Sequence, residues 1–307
     1  MIFKYLIRIL GNKINKLLDK KNIILIYRKG SAIGDHLYMT SVLREIASKG
    51  YKIILFSNYF ELFLNNIRIK KIYKMKKNIF FFLNLFKGRN ILEFRSPYNN
   101  IENKHFLFFH KNSKIHLSKA NSEHFNLDLK YEKLDNEFFF SKNELTKWNK
   151  SIHLPLKFSL IQSTTKKKFT SNKEWDINGM QGIVNHFKKI NWIQIGKSDE
   201  PKLKNCTHLL NLNLRELAYV VYKSEFLVTY EGLFNHIASC FNKKNFLIHT
   251  GFLPIEAFNY KNNILIENNK DYPCYPCYDI NCKDHLNLTK KNIKIEEVIK
   301  KIEDNII

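Results

Sequence analysis

Short apolar runs that stop at a turn and give way to a helical stretch recur along this chain, and that alternation restricts the fold more than any other feature. The runs are Ile23–Tyr27, Lys52–Phe56, Ile69–Tyr73, Phe158–Gln162, Trp192–Ile195, Phe226–Tyr230 and Asn245–His249. Strands that alternate with helices argue for parallel, doubly wound sheets. At 307 residues the chain is long enough for two such domains. A composition shift over residues 141–155 puts the boundary near 150, which predicts an N-terminal helix over 1–21, a first domain over 22–150 and a second over 151–307.

In such sheets ligands bind at the carboxyl ends of the strands, where the next helix starts and its backbone amides favour anions. The turn Ser31-Ala32-Ile33-Gly34-Asp35-His36 follows the first strand. Asp35 there is either a group that reaches a bound substrate or a plain helix cap. The strand Phe158–Gln162 runs into Ser163-Thr164-Thr165-Lys166-Lys167-Lys168, suited to gripping a diphosphate or simply a solvated basic loop. Gly196 ends another strand, and Tyr230-Glu231-Gly232 with His236 repeats the strand–turn–helix pattern. Two open sheets with such turns imply a ligand in a cleft between them.

The formal charge is +23, from 51 Lys+Arg against 28 Asp+Glu, which attracts polyanions such as nucleic acid, anionic lipid or phosphorylated substrates. Abundant Lys, Asn and Ile together also reflect an A/T-rich coding sequence, which weakens the charge as functional evidence. No RNA- or DNA-binding signature accompanies it, although lysines and aromatics interleave over residues 70–86. Residues 2–18 space Phe3, Leu6, Ile7, Leu10, Ile14, Leu17 and Leu18 as one helix face among lysines, a pattern that suits either an anionic membrane surface or packing on the protein's own domain. The apolar segment 78–86 is too short to span a bilayer and reads as a buried helix. No stretch reaches the ~18 to 20 apolar residues of a membrane span, and no signal-peptide pattern opens the chain, so a cytoplasmic protein at the inner face of the membrane is expected. His105, His110, His116 and His124 are irregularly spaced and read as surface or loop histidines.

Cys274-x2-Cys277-x4-Cys282-x2-His285 offers four ligands to a tetrahedral structural zinc. The spacing is not that of a standard finger, and reduced, partly buried cysteines are the alternative reading.

Taken in order, the Gly34-Asp35 turn, Lys173-x-Trp175, Glu231-Gly232-x3-His236 and the Cys274-x2-Cys277 segment resemble the family 9 glycosyltransferases, the group of the ADP-heptose:lipopolysaccharide heptosyltransferases. The resemblance runs from about residue 22 to 300. It implies an α/β GT-B fold of two Rossmann-like domains, with the acceptor on the first, the nucleotide sugar on the second, and the final helix, 295–302, packed back across the first. It implies Asp35 as general base and Lys173 as the partner of the leaving diphosphate. Gly34, Ser163, Thr164, Gly196, Glu231, Gly232 and His236 would line the substrates, with no cofactor. The family more often has Asp-Ser/Thr-Gly where this chain has Tyr230-Glu231-Gly232, a difference that bears on the donor sugar. The sequence contains no Asp-x-Asp to hold a nucleotide-bound metal ion. The expected function is therefore metal-independent, inverting sugar transfer from a nucleotide sugar to a lipopolysaccharide, lipooligosaccharide or capsule precursor. A basic nucleic-acid-binding protein and an inactive scaffold are the alternatives.

Overall fold

The computed structural model describes residues 2–28, 30, 32–94, 115–165, 170–267 and 273–306. The chain forms two compact units, the second taking over at Lys142.

The first unit is built on a four-stranded parallel sheet in the order β3-β2-β1-β4, with β1 at Ile23–Tyr27, β2 at Lys52–Ser57, β3 at Ile69–Lys74 and β4 at Ile91–Glu93. Ile26 pairs with Leu55 on one side and Leu92 on the other. β1 is apolar throughout because both faces of a parallel strand are covered. Among the described residues the α-helices beside it are α1 (Ile2–Lys20), α2 (Ile33–Leu37), α3 (Met39–Ser48), α4 (Lys77–Leu85) and α5 (Leu117–Ser122). Ile7, Ile14 and Leu18 of α1 join Leu83 and Phe86 in one apolar cluster, so α1 spends its inner face on its own domain. Asn15 ties the two elements further, donating to the carbonyl of Phe86 and accepting the N–H of Asn90.

The second unit carries a six-stranded parallel sheet in the order β10-β9-β8-β5-β6-β7. Its strands are β5 (Ser159–Gln162), β6 (Trp192–Gly196), β7 (Thr207–Leu210), β8 (Phe226–Tyr230), β9 (Lys244–His249) and β10 (Asn263–Glu267). Strand order reverses between β5 and β8, where Ile161 faces both Gln194 and Val228. The helices are α6 (Lys142–Ser151), α7 (Ile177–His186), α8 (Leu214–Lys223), α9 (Leu233–Cys240), α10 (Lys283–Asn292) and α11 (Ile295–Ile306). α8 begins at a capping box, with the Asn213 side chain accepting from the Glu216 N–H and Glu216 returning to the Asn213 N–H.

Several expectations change. Residues 142–151, the stretch of the composition shift, form α6, joined to α8 by Arg215 on Glu144 at 2.5 Å, and belong to the second compact unit. α4 is only half buried: Leu83 points inward while Phe81 stands 69% exposed beside exposed Phe82 and Leu85. His116 is buried and caps α5 by accepting the Ser118 N–H. His105 and His110 lie outside the described residues, as do Lys166, Lys167 and Lys168. The last helix, α11, sends Val298 and Ile302 into the core of the second unit against α7. No helix among the described residues is long and apolar enough to cross a membrane.

Because Ile302 is fully buried in that core, Ile302→Ala should lower the unfolding free energy of the second unit by about 3 kcal/mol. Urea titration checks this; a change within experimental error would mean that α11 is not part of the cooperative core.

Candidate active site

In the first unit the chain leaves β1 at Arg28, a guanidinium 1% exposed. Burying that charge costs several kcal/mol unless it is paired, and the partner is Asp35, with Arg28 Nη2 2.5 Å from Asp35 Oδ2. Arg28 Nη1 also donates to the carbonyl of Phe94 at 3.4 Å, and the guanidinium lies 5.5 Å from the Phe94 ring centre. The N-cap of α2 is Ala32, with no side-chain capping bond. Asp35 is thus held by an ion pair at the carboxyl end of the sheet and does not cap the helix. Gly34 precedes it inside α2, its carbonyl accepting the Tyr38 N–H.

His36 braces the same turn. Its Nε2 faces the Gly30 carbonyl at 3.2 Å, which can only accept, so Nδ1 takes the proton of the Ser57 hydroxyl at 2.8 Å. Burial, with Arg28 nearby, lowers the His36 pKa to about 3 and keeps the ring neutral. Sequence reasoning missed Arg28, although a cation directly after an apolar strand and seven residues before an acid was a readable signal.

In the second unit the candidate residues gather where the sheet order reverses. Gln162, at the end of β5, accepts the Tyr230 N–H at 3.3 Å and donates to the Thr164 carbonyl at 2.7 Å. That side chain ties the two diverging strand ends. Ser163 accepts from Gln194 at 2.9 Å, and the buried Thr164 hydroxyl makes no hydrogen bond within the described residues. Glu174 closes the hydroxyl loop by accepting from the N–H and the hydroxyl of Thr165. The ammonium of Lys173 stands 2.5 Å from Glu231 Oε1 and 5.1 Å from the centre of the Phe252 ring. Trp175 anchors this segment, its indole N–H donating to the Ile293 carbonyl at 2.9 Å.

The two glycine turns behave differently. Gly232 has φ 142° with open space where a Cβ would point, and it starts α9 with no side-chain cap. The first amides of α9 therefore remain available to an anion. Gly196, with φ 149°, is filled from its own chain: the Glu200 carboxylate occupies the place a Cβ would take. Burial raises the pKa of Glu200 there. His236, one turn into α9, is buried with Nδ1 2.7 Å from the Tyr260 hydroxyl, which fixes its ring. Cys274, Cys277 and His285 also come together, their ligand atoms lying within 4.8 Å of one another.

No protein-family model and no curated protein matches this sequence. Solved structures do. The iron-containing dodecameric glycosyltransferase TibC of enterotoxigenic E. coli superposes with a TM-score of 0.65 at 13% identity, over 92% of this chain and 77% of that one. A family 9 glycosyl transferase of Veillonella parvula gives 0.63 at 12% identity over 91% and 96%. E. coli heptosyltransferase WaaC, solved with ADP, gives 0.57 at 12% identity over 92% and 99%. The chain therefore has the α/β two-domain GT-B fold of these glycosyltransferases.

The pH response of the protein follows from its buried histidines. Burial, assisted by Arg28 at His36 and by Lys119 at His116, lowers both pKa values from 6.5 to about 3. Between those values the unfolded chain binds more protons, so their stabilisation is complete above pH 6.5 and is lost as pH falls toward 3. Each contributes at most about 1.4 kcal/mol per pH unit. The melting temperature should fall on acidification from neutral pH, and His36→Gln should flatten that fall; parallel profiles for the two proteins would contradict the assignment.

Proposed function

We propose that this chain is an inverting glycosyltransferase that moves a sugar from a nucleoside diphosphate donor to the hydroxyl of a glycolipid or polysaccharide precursor. The observation that carries the reading is the reversal point of the second sheet. There the uncapped start of α9 at Gly232, the Lys173 ammonium and the Thr164 hydroxyl lie on the strand ends where GT-B proteins of this kind meet their ligands.

The chemistry assigns a role to each group. Asp35 accepts the proton of the acceptor hydroxyl as that oxygen forms its bond to the anomeric carbon from the face opposite the leaving group. The bond from that carbon to the diphosphate oxygen breaks, and the diphosphate departs with both electrons. Lys173 and the α9 amides take up the developing negative charge. Arg28 orients Asp35 without touching the substrate. Glu231 balances Lys173 before the donor arrives, and its carboxylate accepts hydrogen bonds from donor hydroxyls, so this turn governs the choice of sugar. The absence of Asp-x-Asp from the sequence supports leaving-group stabilisation by these groups rather than by a nucleotide-bound metal ion. TibC has been solved with ADP-D-β-D-heptose and WaaC with ADP, which makes ADP-heptose the first donor to test.

The acceptor belongs at a membrane surface on this reading. Leu10 and Leu17 of α1 and Phe81, Phe82 and Leu85 of α4 remain exposed on a chain of net charge +23, a combination that favours peripheral contact with anionic headgroups.

Asp35→Asn should lower turnover by about two to four orders of magnitude and leave ADP affinity unchanged, whereas Lys173→Gln should weaken ADP binding in calorimetry. Undiminished transfer by Asp35→Asn would remove the assigned base. Sedimentation with vesicles should require anionic lipid, fade at high salt and drop in a Phe81→Ser, Phe82→Ser double variant; equal sedimentation with neutral vesicles would remove the membrane role.

A further inference from the structure

The segment before α10 and the first turn of that helix carry three thiols and an imidazole, Cys274, Cys277, Cys282 and His285. Cys274 Sγ lies 3.6 Å from His285 Nδ1, and tetrahedral zinc with one sulfur and one nitrogen ligand places those atoms about 3.6 Å apart. The Cys277 sulfur belongs to the same cluster. Cys282 stands outside that cluster of three but next to it: it interacts with both other cysteines, and its sulfur accepts the His285 N–H at 3.4 Å, which places it to close the site as the fourth ligand. His285 is fully buried. Its Nε2 faces the Asn172 carbonyl at 3.2 Å, which can only accept; the proton is therefore on Nε2, and the lone pair of Nδ1 is directed to the sulfur side. All five cysteines are free thiols, so no disulfide competes for these sulfurs.

We infer that Cys274, Cys277, Cys282 and His285 bind one thiophilic cation, zinc or iron, and that the bound ion fixes the turn that carries Lys173. Three thiolates with one imidazole satisfy four-coordinate Zn2+ or Fe2+ and leave no open position, the arrangement of a structural and not a catalytic metal. On binding, each thiol releases its proton to solvent.

The route to Lys173 is short and made of hydrogen bonds. The Asn172 carbonyl receives both His285 Nε2 and the Thr250 hydroxyl, while the Asn172 side chain donates to the Asp279 carbonyl at 2.7 Å. Thr170 donates to the Ile280 carbonyl at 2.7 Å. On the far side, the N–H groups of Cys277 and Tyr278 donate to the carbonyls of Gly251 and Phe252, and Phe252 is the ring beneath the Lys173 ammonium. A cation that locks His285 and the Cys277 backbone therefore grips both the residue before Lys173 and the ring beside it. This second part rests on the donor-site reading above; the metal site itself does not.

The test uses the full-length protein. Elemental analysis should find one zinc or iron per chain, retained in Cys206→Ser and lost in Cys277→Ser. Replacement by Co2+ should give sulfur-to-cobalt charge-transfer absorption and the intense visible bands of tetrahedral cobalt. If Cys277→Ser fails to fold, wild-type protein stripped by a chelator and reloaded with Co2+ answers the same question. Hydrogen exchange over residues 170–176 should accelerate at least tenfold on stripping and recover with Zn2+. Metal below stoichiometry together with absent cobalt bands overturns the site. Stoichiometric metal with unchanged exchange over 170–176 overturns the clamp alone, and neither result depends on whether a sugar is transferred.

Discussion

A wholly parallel sheet delivers every strand's carboxyl end to the same edge, and where strand order reverses the connections diverge and leave that edge open. Both units of this protein are built on this constraint. In the second, β5 and β8 part in opposite directions, and the residues immediately beyond them, Ser163-Thr164 and Glu231-Gly232, are those with chemistry to offer. In the first, β1 and β4 part in the same way, and Arg28 bridges them by reaching the Phe94 carbonyl while it holds Asp35.

Each opening carries a buried ion pair, Arg28 with Asp35 and Lys173 with Glu231. Such pairs add little net stability, because desolvation offsets most of the attraction. Their value here is geometric: each fixes a side chain that would otherwise sample many rotamers. The neutral His36 and the buried Gln162 perform the same service through hydrogen bonds, at positions where another charge would be costly.

Much of this was legible in the sequence, for physical reasons. Central parallel strands such as Ile23–Tyr27 and Phe226–Tyr230 are continuous apolar runs because both faces are covered, and the turns after them stand out by contrast. The edge strands β7 and β10 are less legible because they are only partly covered, and Thr207–Leu210 and Asn263–Glu267 hold no more than three apolar residues in a row. α6 was hidden by its polarity, since Trp148 is its one buried side chain. Composition also misplaced α4, where consecutive phenylalanines suggested burial although one face looks outward. At the site, Asp35 and Gly232 stand out from their turns, whereas Lys173 is singled out only by the family resemblance. The pairing of Arg28 with Asp35 and the filling of the Gly196 turn by Glu200 could not be read, because each depends on where a long side chain bends back.

The bond from the Trp175 indole to the Ile293 carbonyl joins residues 118 positions apart, and His285 reaches Asn172 over 113. During synthesis the segment bearing Lys173 emerges well before either of its anchors. Loop closure over such separations comes late in folding, so the segment bearing Lys173 gains these two bonds only once nearly the whole chain has left the ribosome. A nascent or prematurely terminated chain thus has its strands and its turns but neither of these two bonds, so the hold on the segment around Lys173 depends on residues from the opposite end of the domain's sequence.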